Sequence, residues 1–140
     1  MADQPTSTKT RTASCNCGSL KVTVTGEPGG VNICSCHGCQ RTSGSAFSYT
    51  TFYPEARASI EGEAKEWVGK GDAGREMTTG FCPTCGSSVY RKLQVLPGVL
   101  GVFAGCFADP ATPGPENWYH VTSRHAWLKP LEGVTDNETQ

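Results

Sequence analysis

Three short cysteine clusters constrain this 140-residue chain more than any other feature of its sequence. They are Cys15-Asn16-Cys17, Cys34-Ser35-Cys36-His37-Gly38-Cys39 and Cys82-Pro83-Thr84-Cys85; only Cys106, of eight cysteines, stands outside them. Thiols one or two residues apart suit a shared metal ion better than cross-links to distant partners. Disulfides also belong to oxidising compartments. Met1 to Thr12 is polar and has no apolar segment of the kind that directs secretion. The expected setting is therefore the cytoplasm and the expected ligand is metal. Zinc is preferred to copper or an iron–sulfur cluster, because tight thiolate turns close sites of this size. A secreted disulfide scaffold is the competing reading.

The spacing predicts two zinc ions per chain. Cys15, Cys17, Cys82 and Cys85 make a complete four-sulfur set, which leaves no open position and marks a structural site. Closing that set across a long loop restrains the chain much as a cross-link would. Cys34, Cys36 and Cys39 supply three thiolates and leave one position for water or substrate. Zinc with three thiolates carries one net negative charge, so it is a poorer Lewis acid than zinc on neutral histidines. It suits a soft, exchangeable ligand such as the sulfur of a small-molecule thiol. A fourth thiolate would call for nearby cations or donors, and His37, Arg41 and backbone N–H groups are the local candidates. The alternative is that a histidine or Cys106 completes this site and makes it structural too.

Cys106 lies between Gly105 and Phe107 in an apolar run and reads as a buried, inert thiol. His120 and His125 flank Trp118, Tyr119 and Trp127, as edge-of-core histidines do, with a position facing the pocket as the alternative for either. Arg41 is suited to a substrate carboxylate, with a plain surface arginine as the alternative. Phe47, Tyr49, Phe52 and Tyr53 read as core and sheet surface.

The pattern between the clusters is one of short strands. Leu20, Val22 and Val24 alternate with Lys21, Thr23 and Thr25. Val31 to Ile33 delivers Cys34, and Cys39 to Gly44 forms a helical turn. Further strands are expected over 46–53, 58–61, 64–68, 75–81, 87–92, 118–121 and 126–128, with Val99–Phe107 as the central one. Gly and Pro punctuate them throughout. The expected fold is all-β, built of short antiparallel strands with little helix. A tail over 1–12, one domain over 13–130 and a second tail over 131–140 complete the outline.

Composition excludes several classes. Hydrophobic residues are only 36% of the chain, so metal would supplement a modest core. The formal net charge of −1, with scattered basic residues, is not the footprint of a nucleic-acid binder. No apolar run approaches the ~20 residues that span a bilayer. An exposed aromatic strand would allow a homodimer.

Seven cysteines in matching order make the chain resemble the glutathione-dependent formaldehyde-activating enzyme (GFA) family, which includes the centromere-protein-V-like domains. The motifs are Cys15-Asn16-Cys17-Gly18, then Cys34 to Gly44, then Phe81-Cys82-Pro83-Thr84-Cys85-Gly86, with Trp127 near the end. The resemblance implies a small zinc-stabilised β-tent. It implies structural zinc at Cys15, Cys17, Cys82 and Cys85, and catalytic zinc at Cys34, Cys36 and Cys39. It also implies a carbon–sulfur lyase activity that joins formaldehyde to glutathione. The family commonly has histidine where this chain has Ser35, so a role held by that histidine is lost here or passes to His37. Two other readings are a non-catalytic module with two structural zincs, and a thiol redox enzyme resembling methionine sulfoxide reductase B with Cys106 as nucleophile.

Overall fold

The computed structural model describes residues 8–71 and 73–140. Residues 1–7 of the expected tail, and Asp72 in an expected hairpin tip, lie outside the described residues. The described residues are mostly strand and turn, in two open sheets, with one short α-helix. Among the described residues, no helix is long and apolar enough to cross a membrane.

The smaller sheet has the order β1 (Thr10–Ser14), β2 (Lys21–Thr25), β5 (Ala58–Glu61), all antiparallel. β1 corrects the tail boundary, since strand begins at Thr10. Its polar composition hides an alternation in which Arg11 and Ala13 are buried while Thr10 and Thr12 are exposed. Arg11 can lie inward because its guanidinium donates to Gly26 O at 3.3 Å and pairs with Glu27 at 3.2 Å.

The larger sheet has eight strands, in the order β11-β10-β3-β4-β9-β8-β7-β6. These are β3 (Gly30–Cys34), β4 (Ser48–Pro54), β6 (Lys65–Lys70), β7 (Glu76–Phe81), β8 (Ser88–Leu93), β9 (Val99–Phe103), β10 (Asn117–Tyr119) and β11 (Thr135–Asp136). Two pairings depart from the antiparallel expectation: β10 runs parallel to both β3 and β11. A parallel neighbour needs a long connection rather than a hairpin: residues 35–116 lie between β3 and β10, and residues 120–134 between β10 and β11. β11 falls in the segment expected to be a tail, and Arg124 fastens it through Asp136 at 2.9 Å. The expected strand at 126–128 is absent: Leu128 N–H bonds His125 O in a turn, and Trp127 is 71% exposed. The expected strand over 99–107 stops at Phe103, and Ala104–Phe107 coil into one 3-10 turn that carries Cys106.

The core lies between the sheets. Ala13, Leu20, Val22 and Val24 of the smaller sheet and its turn meet Tyr53, Val89, Leu100 and Val102 of the larger. Period-two alternation then assigns the other face of the larger sheet to something else. Asn32 and Cys34 of β3, Ser48, Thr50 and Phe52 of β4, and Arg91 of β8 line a cleft there.

One close approach ties the two sheets' connections to the first cysteine cluster. Gly62 has φ +95°, and a Cβ there would sit 1.8 Å from the Ser19 carbonyl oxygen. Gly62→Ala is expected to destabilise the protein by on the order of 3 kcal/mol, read as a lowered denaturation midpoint. An unchanged midpoint would mean that the backbone at Ser19 yields freely.

Candidate metal centres and the cleft

Cys15 and Cys17 lie in the turn leaving β1, and Cys82 and Cys85 in the turn between β7 and β8. All four sulfurs lie within 4.8 Å of one another. Cys17 Sγ is 3.7 Å from both Cys15 Sγ and Cys82 Sγ. A zinc tetrahedron with Zn–S bonds of about 2.3 Å has edges of about 3.8 Å, whereas a disulfide needs about 2.05 Å. The donor set and its spacing therefore fit a thiophilic ion such as zinc.

The two turns are built alike. Cys17-Gly18-Ser19 and Cys85-Gly86-Ser87 share one order, and their glycines take φ +85° and +80°, a region open to glycine at little cost. Each serine thereby folds back on the sulfurs. Ser19 Oγ lies 3.2 Å from both Cys17 Sγ and Cys82 Sγ, and Ser87 Oγ lies 3.3 Å from Cys85 Sγ. Backbone N–H groups add to this: Leu20 donates to Cys15 Sγ at 3.2 Å, and Thr84 and Cys85 donate to Cys82 Sγ at 3.4 Å. Donors stabilise the thiolate, which is the metal-binding form. The Ser87 hydroxyl is the main reason that the Cys85 thiol falls to about 5, and the Ser19 hydroxyl that Cys82 falls to about 7. The repeated Cys-Gly-Ser was the available signal for these serines, and the sequence reading used only its cysteines and glycine.

The second cluster is formed by one strand end and one helix start. Cys34 closes β3, and Cys36 is the N-cap of α1 (His37–Ser43), accepting the Cys39 N–H at 3.3 Å. The three sulfurs again lie within 4.8 Å. Crowding separates their titrations: contacts from Cys34 and Cys36, with help from Arg91, hold Cys39 far below the ordinary thiol range. Contacts from Cys36 and Cys39 push Cys34 far above it.

Among the described residues, no histidine, carboxylate or further cysteine joins the three sulfurs within that distance. His37 and His120 line the cleft without entering the cluster. Cys106 is absent from it, and its Sγ donates to Ser88 O at 3.2 Å. Burial pushes the Cys106 thiol up to about 11. His125 faces a separate shallow groove beside Trp127, where its Nε2 lies 2.8 Å from Gln40 Oε1. The Gln40 amide donates to Ser35 O and Ser123 O, so its oxygen is the acceptor and His125 Nε2 is the donor.

The cleft has a volume of about 680 Å³, in the range of small-molecule sites. The three cysteines lie in its wall, and Arg41, Lys70 and Arg75 bring positive charge to its lining. Glu76 is the single acidic side chain among the described lining residues. Tyr49 and Tyr53, grouped with Phe52 in the sequence, turn away: Tyr49 OH donates to Pro113 O, and Tyr53 is core.

Two features of the site were not legible from the motifs. Ser35, between two cysteines of the cleft, does not line it. Its side chain is fully buried, accepting Trp118 Nε1–H at 2.8 Å and donating to Ala46 O at 3.1 Å. Position 35 therefore serves the core here, and His37 is the neighbouring histidine that faces the cleft. Ser35→Ala is expected to strand the indole N–H and cost about 1–3 kcal/mol, seen as a Tm lower by several degrees with metal content unchanged. Unaltered melting would show that the indole finds another acceptor. The second feature is Arg91, which is 5% exposed and brings Nη1 to 3.6 Å from Cys39 Sγ. It is the cation at the cluster, a place the sequence reading offered to His37 and Arg41.

A two-sheet β fold with a four-thiol knuckle pair and a three-thiol turn in a cleft defines an all-β protein with two clusters able to hold metal. Its relatives make the class specific. The profile of the glutathione-dependent formaldehyde-activating enzyme (GFA) family matches residues 10–127, and the chain belongs to that family. The fold is similar to the crystal structure of a Rhodobacter sphaeroides protein, with a TM-score of 0.54 and 15% identity over 90% of this chain and 98% of that one. No curated protein matches the sequence.

Proposed function

We propose that this protein is a zinc-dependent carbon–sulfur lyase that joins a small thiol to an aldehyde carbon and splits the adduct in reverse. Glutathione and formaldehyde are the pair that the family description names. The observation that carries this reading is the three-cysteine cluster, with no fourth protein ligand among the described residues, in the wall of a cationic cleft. Zinc held by Cys34, Cys36 and Cys39 supplies a soft site that favours thiolate over thiol. The cluster sits on a strand end and a helix start, so its short cysteine side chains project from regular backbone.

The cleft suits an anionic thiol. Glutathione carries carboxylates at both ends, and Arg41, Lys70 and Arg75 offer them cations. In the forward direction the thiolate sulfur attacks the carbonyl carbon. The S–C bond forms, the π pair moves to oxygen, and that oxygen takes up one proton, balancing the one the thiol lost. His37 and His120 are the histidines that line the cleft, and an imidazole there can take up and release this proton. A closed zinc module would need a fourth protein ligand at the cluster. A reductase-like enzyme would need Cys106 as a low-pKa nucleophile, and burial drives that thiol the other way.

The test is exchange NMR of glutathione and formaldehyde with protein shown to hold two zincs per chain. Formation of S-(hydroxymethyl)glutathione faster than the uncatalysed reaction is expected. A rate equal to the uncatalysed one, with glutathione and with other thiols, would sink the reading.

A further inference from the structure

We infer that Arg91 is the buried counter-charge that allows the three-cysteine site to accept a fourth, substrate-derived thiolate, and so positions the thiol. This rests on the function proposed above and assigns part of it to a residue outside every cysteine motif.

The side chain is built into place rather than left at a surface. It leaves β8 on the cleft face and lies over Gly101 of the adjoining β9, where a Cβ would come within 2.9 Å of Arg91 Cγ. Its guanidinium carbon then sits 4.9 Å from the centroid of the Phe103 ring, two residues further along the same strand. Nη1 reaches to 3.6 Å from Cys39 Sγ, while Nε is buried without a hydrogen-bond partner. Burying a charge with incomplete hydrogen bonding is unfavourable unless opposite charge lies close by. The thiolate cluster is that charge.

Charge then decides what Arg91 does for a ligand. A divalent ion on three thiolates has one net negative charge, and a fourth thiolate would make it two. Arg91 returns the sum to one. Arg41 and His37 are exposed, where water and salt screen them. Arg91 acts from a buried position, where the same charge at the same distance counts for more. It is also the cation in direct contact with a cluster sulfur. An anionic fourth ligand therefore gains from Arg91, and a neutral one gains little.

The test uses cobalt-substituted full-length protein, wild type beside Arg91→Met and Arg91→Lys. Glutathione and imidazole are titrated as anionic and neutral ligands, following the thiolate-to-cobalt and d–d absorption bands. Arg91→Met is expected to keep its metal and its imidazole affinity. It should bind glutathione about tenfold or more weakly, the scale on which outer partners of metal ligands act. Arg91→Lys should recover much of the loss. Equal weakening toward both ligands would mean a structural role and overturn the inference, as would undiminished glutathione binding by Arg91→Met. If Arg91→Met loses its metal, Arg91→Lys decides: glutathione binding close to wild type supports the charge, and its loss overturns it. Wild-type protein that holds cobalt but binds no thiol would remove the proposed function itself, and this inference with it.

Discussion

Cys82→Ser is expected to abolish cooperative folding. The Cys82 side chain is fully buried, and its sulfur is a hub: it accepts two backbone N–H groups and lies beside Ser19 Oγ and Cys17 Sγ. Cys17 and Cys82 are 65 residues apart in sequence, so a shared metal closes a loop of that size. Cross-linking a loop of that size is worth roughly 4 kcal/mol in chain entropy. The free energy of structural zinc binding is larger still, about 10–16 kcal/mol in small zinc domains. A domain of this size has only about 5–15 kcal/mol of stability in all. Weakening the four-sulfur site therefore removes a large share of the total. Circular dichroism on heating should show no cooperative transition, or a Tm lower by more than about 20 °C. A variant melting within a few degrees of wild type, with one metal lost, would show that the two sheets hold together without this site.

Cys36→Ser should separate the second site from the fold. Serine is a good N-cap, so α1 keeps its start while the ligand sulfur is lost. Cys36 is only partly buried, so the change leaves no large cavity. The expected result is a folded protein whose zinc falls from two per chain to one. The rate of the proposed lyase reaction should fall by more than about 100-fold, since even outer partners of metal ligands cost 10–100-fold. Zinc content, the melting curve and adduct formation together decide the matter. Retained activity with one zinc would place the chemistry elsewhere. Loss of the fold would mean that the second site is structural as well.

The cysteine sets were legible because thiols spaced to share a metal leave a local mark. Cys-x-Cys and Cys-x-x-Cys turns announce themselves over a few residues, and the two knuckles even repeat the serine that follows. Strands with plain alternation, such as β2, were equally visible. β1 was not, because its inward residues are an alanine and an arginine whose charge is met by Glu27 from the next turn. The strand drawn through Phe103 to Phe107 failed for a different reason. Apolar composition cannot tell a strand from a buried 3-10 turn, and only the packing of Ala104 and Phe107 against the smaller sheet's core separates them.

The sequence alone determined the cysteine sets able to hold metal, their grouping into four and three, and the all-β class, since each depends on neighbours along the chain. Only the tertiary structure decided which groups face the three-cysteine site. Ser35 lies within that motif yet turns into the core against Trp118, because the strand end at Cys34 alternates faces from one residue to the next. Arg91 lies 52 residues from Cys39 and reaches its sulfur, because β8 turns Arg91 to the cleft face and α1, which follows β3 in the same sheet, brings Cys39 to that cleft. Spacing along a chain encodes bonds to one ion. The charge around that ion is set by strands that meet only when the sheet is complete.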